Sequence, residues 1–173
     1  MDRDKFIPDS HLSSYAPLLY RAILDTTGPI IECGMGNYST NLLHGTGSTV
    51  LSLETSPEWF AKFDIENKVL LHPHEWIRIM QLCKPFVSVI FIDQAPGEVR
   101  EKCIAELATG FSGIVIAHDT EPAADFGYKM RQHFPKFKYM VEVKTTGAWA
   151  TALSNTIDVT EWKGDVFGSF EIQ

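Results

Sequence analysis

The segment Pro29-Ile30-Ile31-Glu32-Cys33-Gly34-Met35-Gly36 joins a short apolar run to a glycine-rich turn. Its first five residues predict a buried β-strand. Gly34 and Gly36 let the backbone turn sharply and approach a ligand, because neither carries a Cβ atom. Residues 38–44 then predict a helix that ends at Gly45. A strand, a glycine turn and a helix in this order are the local arrangement that nucleotide-type sites require.

The rest of the chain alternates in the same way between apolar runs and segments with helical periodicity. The predicted strands are residues 29–33, 49–54, 68–71, 86–92, 113–117, 138–144 and 149–155, and the predicted helices lie near residues 12–25, 38–44, from 56 onward, 73–82, 96–108 and from 120 to before 135. This alternation predicts an α/β fold: a Rossmann-like, doubly wound sheet of about seven strands, mostly parallel, with helices on both faces. The short link Thr146-Gly147 predicts a C-terminal antiparallel hairpin.

Composition limits the classes of function that fit the chain. Its 173 residues suit one domain, predicted as an N-terminal helix at about 12–25, a core at about 29–155 and a tail at 158–173. A net charge of -7, without a cluster of Lys and Arg, argues against a nucleic-acid partner. No apolar run approaches the roughly 18 residues typical of a membrane span. Three widely spaced cysteines and a charged start predict a cytoplasmic protein with reduced thiols.

Acidic residues stand at the ends of four predicted strands: Glu32, Glu54, Asp93 and Asp119. Ligands of parallel α/β sheets bind outside the carboxyl ends of the strands, so we expect these four side chains at the binding edge. Glu54 ends the strand that follows the glycine turn, where an acid can hold both hydroxyls of a ribose.

Two residues separate a dinucleotide site from a site for a cationic nucleoside. A dinucleotide site favours Gly or Ala at the position that Ser39 occupies. It also disfavours a carboxylate such as Glu32 near the phosphates, whereas a carboxylate attracts a positively charged ligand. The pattern favours S-adenosylmethionine (SAM), which carries an ammonium and a sulfonium.

The run Glu32-Cys33-Gly34-Met35-Gly36 resembles motif I of class I SAM-dependent methyltransferases, and the predicted strand order with its final hairpin is similar to theirs. The resemblance extends from about Leu12 to Asn155. It implies that the glycine turn and Glu32 face the methionine part of SAM, that Glu54 holds the ribose and that residues 72–75 lie against the adenine. The cofactor-binding residues it implies are Glu32, Gly34, Gly36, Asn37, Ser39, Glu54, Thr55, His72 and Asp93, the last near the methyl group.

The end of the fifth predicted strand supplies candidates for the chemistry. Residues 115–120 resemble the corresponding segment of small-molecule O-methyltransferases, some of them metal-dependent. The resemblance implies that Asp93 and Asp119 share a Mg²⁺, whose preferred ligands are oxygens. Asp93 or His118 can instead act as a base without metal, taking the proton of a hydroxyl nucleophile. We therefore expect O-methylation of a small hydroxylated molecule, with Asp93, His118 and Asp119 as the catalytic candidates.

Two other functions stay open at this stage: an NAD-dependent oxidoreductase on the same sheet, and a SAM-binding protein without catalysis. Arg100 follows Asp93 by seven positions and is expected as an exposed surface residue, with contact to an anionic substrate as the alternative. The tail after residue 158 is expected to fold back on the domain or to pack against another subunit, and the second case would make a homo-oligomer.

Overall fold

The computed structural model describes residues 12–122, 128–167 and 169–173. Its α-helices are α1 (Ala16–Asp25), α2 (Ser39–His44), α3 (Pro57–Lys62), α4 (Trp76–Cys83) and α5 (Gly97–Leu107). Its strands are β1 (Ile30–Cys33), β2 (Val50–Glu54), β3 (Lys68–Leu70), β4 (Val89–Ile92), β5 (Ile114–His118), β6 (Tyr139–Val143), β7 (Ala150–Ser154), β8 (Val166–Phe167) and β9 (Phe170–Glu171). Short 3₁₀ helices occupy Pro73–Glu75, Met130–Lys136 and Val159–Trp162.

Seven strands form one sheet in the order β3-β2-β1-β4-β5-β7-β6. The strands from β3 to β5 are parallel, whereas β7 is antiparallel to both β5 and β6. The predicted fold class, including the antiparallel C-terminal hairpin, is confirmed. The chain order reverses direction across the sheet between β1 and β4, and a ligand crevice is expected at this switch point.

The core consists of two apolar clusters, one on each face of the sheet. Successive residues of a strand point to opposite faces, so Ile30 and Val89 join the cluster that includes α1 and α2. Ile31 and Ile90 join the cluster that includes α4 and α5. Burial of each such side chain contributes roughly 1.5–3 kcal/mol to folding. Because both faces are covered, the carboxyl ends of β1, β2, β4 and β5 are held at a fixed edge.

The tail folds back on the domain. Trp162 is 1% exposed and packs in the cluster on the α1 face. Its Nε1 donates a hydrogen bond to Asp25 Oδ2 at 2.7 Å, which joins the tail to the end of α1. Ile172 bridges to Val143, so the small hairpin of β8 and β9 also contacts the main sheet. Within the part of the chain that the structure describes, no helix has the length and apolar content of a membrane span.

Two predicted boundaries are wrong. Phe86 was expected to begin a central strand, but it is 76% exposed and lies in the turn after α4, where its N–H donates to Cys83 O. The helix expected from residue 120 was to end before Pro135, yet Pro135 lies inside the 3₁₀ helix Met130–Lys136. Pro135 has no N–H to donate, so one internal hydrogen bond is missing there and the 3₁₀ helix ends one residue later, at Lys136. Residues 123–127 of that predicted helix lie outside the described residues.

Candidate cofactor and active site

A cavity of about 480 Å³ opens at the carboxyl edge of the sheet. Its wall is formed by Leu12, Tyr15, Gly34, Met35, Gly36, Asn37, Tyr38, Glu54, Ser56, Trp59, Asp93, Ala95, His118 and Asp119. This volume falls within the range of about 300–1,000 Å³ that small-molecule sites occupy. The ends of β1, β2, β4 and β5 therefore meet around one hollow, and three of the four acidic residues at these ends, Glu54, Asp93 and Asp119, lie in its wall.

Gly34 forms the tight turn directly after β1. Its φ angle is +87°, in the left-handed region that side chains with a Cβ rarely adopt. A Cβ atom at this position would lie 2.7 Å from the carbonyl carbon and oxygen of Asp93 and from the Cα of Gln94. The glycine therefore allows the turn to pack against the end of β4, which holds Asp93 beside the cavity.

Glu54 fixes the same turn from the end of β2. Its Oε2 accepts a hydrogen bond from the N–H of Met35 at 2.8 Å, and its Oε1 accepts from the N–H groups of Thr55 at 2.6 Å and Ser56 at 2.8 Å. The side chain is buried, but it lines the cavity. Two carboxylate oxygens provide about four acceptor positions, so roughly one remains for a ligand. Glu54 is thus held in a set orientation before any ligand arrives.

Glu32 lies beneath the turn. It is fully buried, and its oxygens accept hydrogen bonds from Ser52 Oγ at 2.5 Å and Thr40 Oγ1 at 2.9 Å. Thr40 Oγ1 in turn accepts from the N–H of Gly36 at 3.0 Å. Burial raises the pKa of Glu32 to about 7, although the hydroxyl hydrogen bonds lower it. Glu32 is not part of the cavity wall, so the structure shows it supporting the turn through Thr40 instead of facing a ligand.

Asp93 and Asp119 meet on the other side of the cavity, at the ends of β4 and β5. His118 Nδ1 lies 3.2 Å from Asp93 Oδ1 and 3.6 Å from Asp119 Oδ1. Asp119 has a φ angle of +54°, a left-handed conformation that Asp tolerates better than most residues. This bend places its carboxylate beside Asp93 and His118.

His118 has one nitrogen engaged and one without a partner. Asp93 Oδ1 accepts from Nδ1–H, and Nε2 is buried and has no hydrogen-bond partner among the described residues. Burial lowers the pKa of His118, but the negative charge and hydrogen bond of Asp93, with the charge of Asp119, outweigh burial, so the net pKa is raised. The site therefore holds a histidine whose orientation is set by a carboxylate, as general bases require.

Arg100 lies between the two carboxylates, which the sequence did not predict. It is 6% exposed, not a surface residue. Nη2 lies 3.0 Å from Asp93 Oδ1, and Nη1 lies 2.9 Å from Asp119 Oδ2. Buried charged side chains are rare unless they are paired, and here each carboxylate has the same positive partner.

The metal hypothesis can be tested against these contacts. Asp93, His118 and Asp119 each offer a ligand atom, and these atoms lie within 4.8 Å of one another. However, the guanidinium of Arg100 already bonds to both carboxylates, and its fixed positive charge would repel a divalent ion placed there. The residues present fit Arg100 and do not fit Mg²⁺, so no step of the chemistry is assigned to a metal.

The structure brings most predicted site residues to the cavity. Those in its wall are Gly34, Gly36, Asn37, Glu54, Asp93, His118 and Asp119. Ser39 is buried at the start of α2, and Thr55 Oγ1 donates to Ala95 O, which links the ends of β2 and β4. His72 is exposed outside the wall and donates its N–H to Glu75.

Three aromatic wall residues, Tyr15, Tyr38 and Trp59, were missed. Tyr15 reaches the cavity from α1 and meets His118 edge-on, with ring centroids 4.8 Å apart. Burial raises the pKa of its hydroxyl well above the ordinary value, so the group stays neutral. Trp59, on α3, is 39% exposed and stacks on Phe63 at 6.4 Å between ring centroids. The helix capped by Ser56 directly after Glu54 was a signal that could have found Trp59, since its first turn must lie near the ligand edge.

Comparison with solved structures shows the fold of methyltransferases. An O-methyltransferase from Bacillus cereus in complex with SAH shares 16% identity at a TM-score of 0.58, with 86% of this chain and 82% of that chain covered. Cofactor-bound Rv0187 from MTB shares 14% identity at a TM-score of 0.60, covering 88% and 83%. A type 11 methyltransferase from Sulfolobus solfataricus, described as putative, shares 16% identity at a TM-score of 0.50, covering 85% and 93%. No protein-family model and no curated protein sequence matches the chain.

Proposed function

We propose that the protein is a SAM-dependent methyltransferase that methylates a hydroxyl group of a small molecule. The observation that supports this best is the pairing of two features in one cavity. The turn fixed by Glu54 forms one side, and the His118–Asp93 pair forms the other. A nucleoside-binding turn and a candidate base thus face the same hollow. The fold shared with methyltransferases that bind a cofactor is consistent with this reading.

The cofactor side of the cavity suits a cationic nucleoside. Glu54 and Asp93 put two carboxylates in the wall, and negative charge favours a sulfonium and an ammonium. Glu54 would accept a hydrogen bond from one ribose hydroxyl with the acceptor position that its three backbone partners leave. The turn from Gly34 to Asn37 would hold the amino acid end. The aromatic face of Trp59 is the wall surface that a flat base would contact.

The chemistry requires little from the protein beyond alignment and proton removal. When bound, SAM supplies a methyl group on positively charged sulfur, which is already activated for transfer. Asp93 holds the His118 ring through Nδ1, and Nε2, which is buried and has no partner among the described residues, would take the proton of the acceptor hydroxyl once the bound acceptor reaches it. Asp93 also stabilises the imidazolium that results. Arg100 keeps Asp93 and Asp119 in place while the proton moves.

A labelled methyl-transfer assay tests the proposal. The protein is incubated with SAM labelled in its methyl group and with a panel of small hydroxylated compounds. We expect transfer to at least one of them, and a fall of on the order of a hundredfold or more in His118→Gln, because the base is removed. His133→Gln, a histidine on the 3₁₀ helix that pairs with Glu101, serves as the matched control and should keep its activity.

Three outcomes would contradict parts of the proposal. Binding of NAD instead of S-adenosylhomocysteine would exclude the methyltransferase class. Binding of S-adenosylhomocysteine with no transfer to any compound of the panel would favour a SAM-binding protein without catalysis. Undiminished transfer in His118→Gln would remove His118 from the role of base.

A further inference from the structure

Arg100 makes contacts in several directions at once. It lies in α5, one turn after Gly97, and points its head under the ends of β4 and β5. Its Nε donates to Gln94 O at 2.8 Å, and Nη2 donates to Asp93 O at 2.9 Å. With the ion pairs to Asp93 and Asp119, the guanidinium satisfies backbone and side-chain acceptors together.

The surrounding residues fix the orientation of the guanidinium plane. The ring of Tyr128 lies over Arg100, with the Cζ atom 4.6 Å from the ring centroid. Gly97 makes this position available, because a Cβ there would lie 1.8 Å from Tyr128 Cε1. A planar fork suits two carboxylates and an aromatic face, and a lysine ammonium could not reproduce this geometry.

The position of Arg100 is the place that a bridging cation would take. Two carboxylates that share one small space repel each other unless a positive charge lies between them. Arg100 supplies that charge permanently, because its guanidinium does not lose its proton in proteins. A divalent ion at the same carboxylates would have to displace these bonds and remain beside the guanidinium.

We propose that Arg100 takes the place of a divalent metal ion in this site. It is a positioning residue: it sets the two carboxylates, and through Asp93 the His118 ring, without touching the reacting atoms. The inference rests on the proposed function, since that function gives His118 and the two carboxylates their role in catalysis. Its test needs neither SAM nor a methyl acceptor, so its failure and that of the proposed function are distinguishable.

Manganese binding tests the inference directly. The paramagnetic resonance signal of free Mn²⁺ is measured during titration of the wild-type protein and of Arg100→Met. We expect no binding at the cluster in the wild type. Arg100→Met leaves both carboxylates without a cation and should bind Mn²⁺ with an affinity on the order of a hundredfold above the detection limit of the titration, because a fixed opposing charge a few ångström away is gone. Addition of Asp119→Asn to Arg100→Met should abolish the new site.

Control variants make the result specific. Arg78→Met removes an exposed arginine of α4 and should leave Mn²⁺ binding as weak as in the wild type. Since Arg100→Met can fail to fold, Arg100→Gln is prepared in parallel, and the same gain is expected.

Two results would overturn the inference. One is a wild-type protein that binds Mn²⁺ and loses it in Asp119→Asn, which would show that metal and arginine coexist. The other is a folded Arg100 variant that gains no Mn²⁺ site, because the guanidinium would then not be what occupies the place of the ion.

Discussion

Replacement of Glu54 by glutamine keeps the size of the side chain but removes acceptors from the turn of the cofactor site. The carboxylate accepts three backbone N–H bonds, one from Met35 and two from Thr55 and Ser56. Glutamine has one acceptor oxygen and one donor NH₂ group. Whichever way the amide is oriented, its NH₂ faces at least one backbone N–H, so at least one bond is lost.

The expected magnitude follows from these bonds. A hydrogen bond to a charged group contributes about 1.5–3 kcal/mol, and the least harmful amide orientation loses only the bond from Met35. For a domain of this size each kcal/mol corresponds to about 2–4 °C in melting temperature, so Glu54→Gln should lower it by about 3–12 °C. Ligand affinity should also fall, since a ribose hydroxyl of the ligand loses its charged acceptor.

The assay combines thermal unfolding with calorimetric titration of S-adenosylhomocysteine. We expect Glu54→Gln to weaken binding by roughly ten- to a hundredfold, the equivalent of one charged hydrogen bond. Glu66→Gln neutralises an exposed carboxylate in the loop before β3 and should change neither quantity. If Glu54→Gln melts and binds like the wild type, or if Glu66→Gln has the same effect as Glu54→Gln, the role assigned to the Glu54 carboxylate is wrong.

Three further predictions concern the turn and the base. Gly34→Ala should destabilise folding by about 2–5 kcal/mol, measured by denaturant unfolding, since a left-handed alanine costs about 1–2 kcal/mol and its Cβ collides with Asp93. Because the pKa of Glu32 is raised to about 7 in the folded state from a value near 4.5 in the unfolded state, the folded state keeps this proton up to a higher pH. Stability should therefore fall, by up to about 3 kcal/mol, as pH rises from about 4.5 to 7, and Glu32→Gln should flatten this dependence. Methyl transfer should rise with pH through the raised pKa of His118, and Asp93→Asn, which removes the main charge that raises it, should shift the rise to lower pH.

The fold was predictable because short apolar runs in the sequence predict buried strands. The apolar residues of β1, β4 and β5 form the continuous runs that are typical of parallel strands covered by helices on both faces. The short link between β6 and β7 predicts the antiparallel hairpin. Phe86 misled the prediction because it continues the apolar run of β4 in sequence but follows a turn that exposes it. Local hydrophobicity does not reveal where a turn ends.

The site was predictable to the extent that it follows from strand ends. Glu54, Asp93 and Asp119 reach the cavity because the carboxyl ends of parallel strands meet there. Glu32 also lies near the end of a strand, but its side chain accepts hydrogen bonds from the hydroxyls of Ser52 and Thr40 instead of lining the cavity. This orientation depends on contacts between residues that are distant in sequence. The burial of Arg100 could not be predicted from the sequence, since it depends on ion pairs with two carboxylates at the ends of different strands.

We propose that the turn held by Glu54 and the pair of Asp93 with His118 enclose a site for the nucleoside and amino acid parts of SAM. Parallel calorimetric titrations of the wild-type protein with S-adenosylhomocysteine and with NAD test it most directly. We expect one S-adenosylhomocysteine bound per chain, with binding lost or weakened in Glu54→Gln, and no heat from NAD. Binding of NAD alone, or of neither compound to a folded protein, would contradict it.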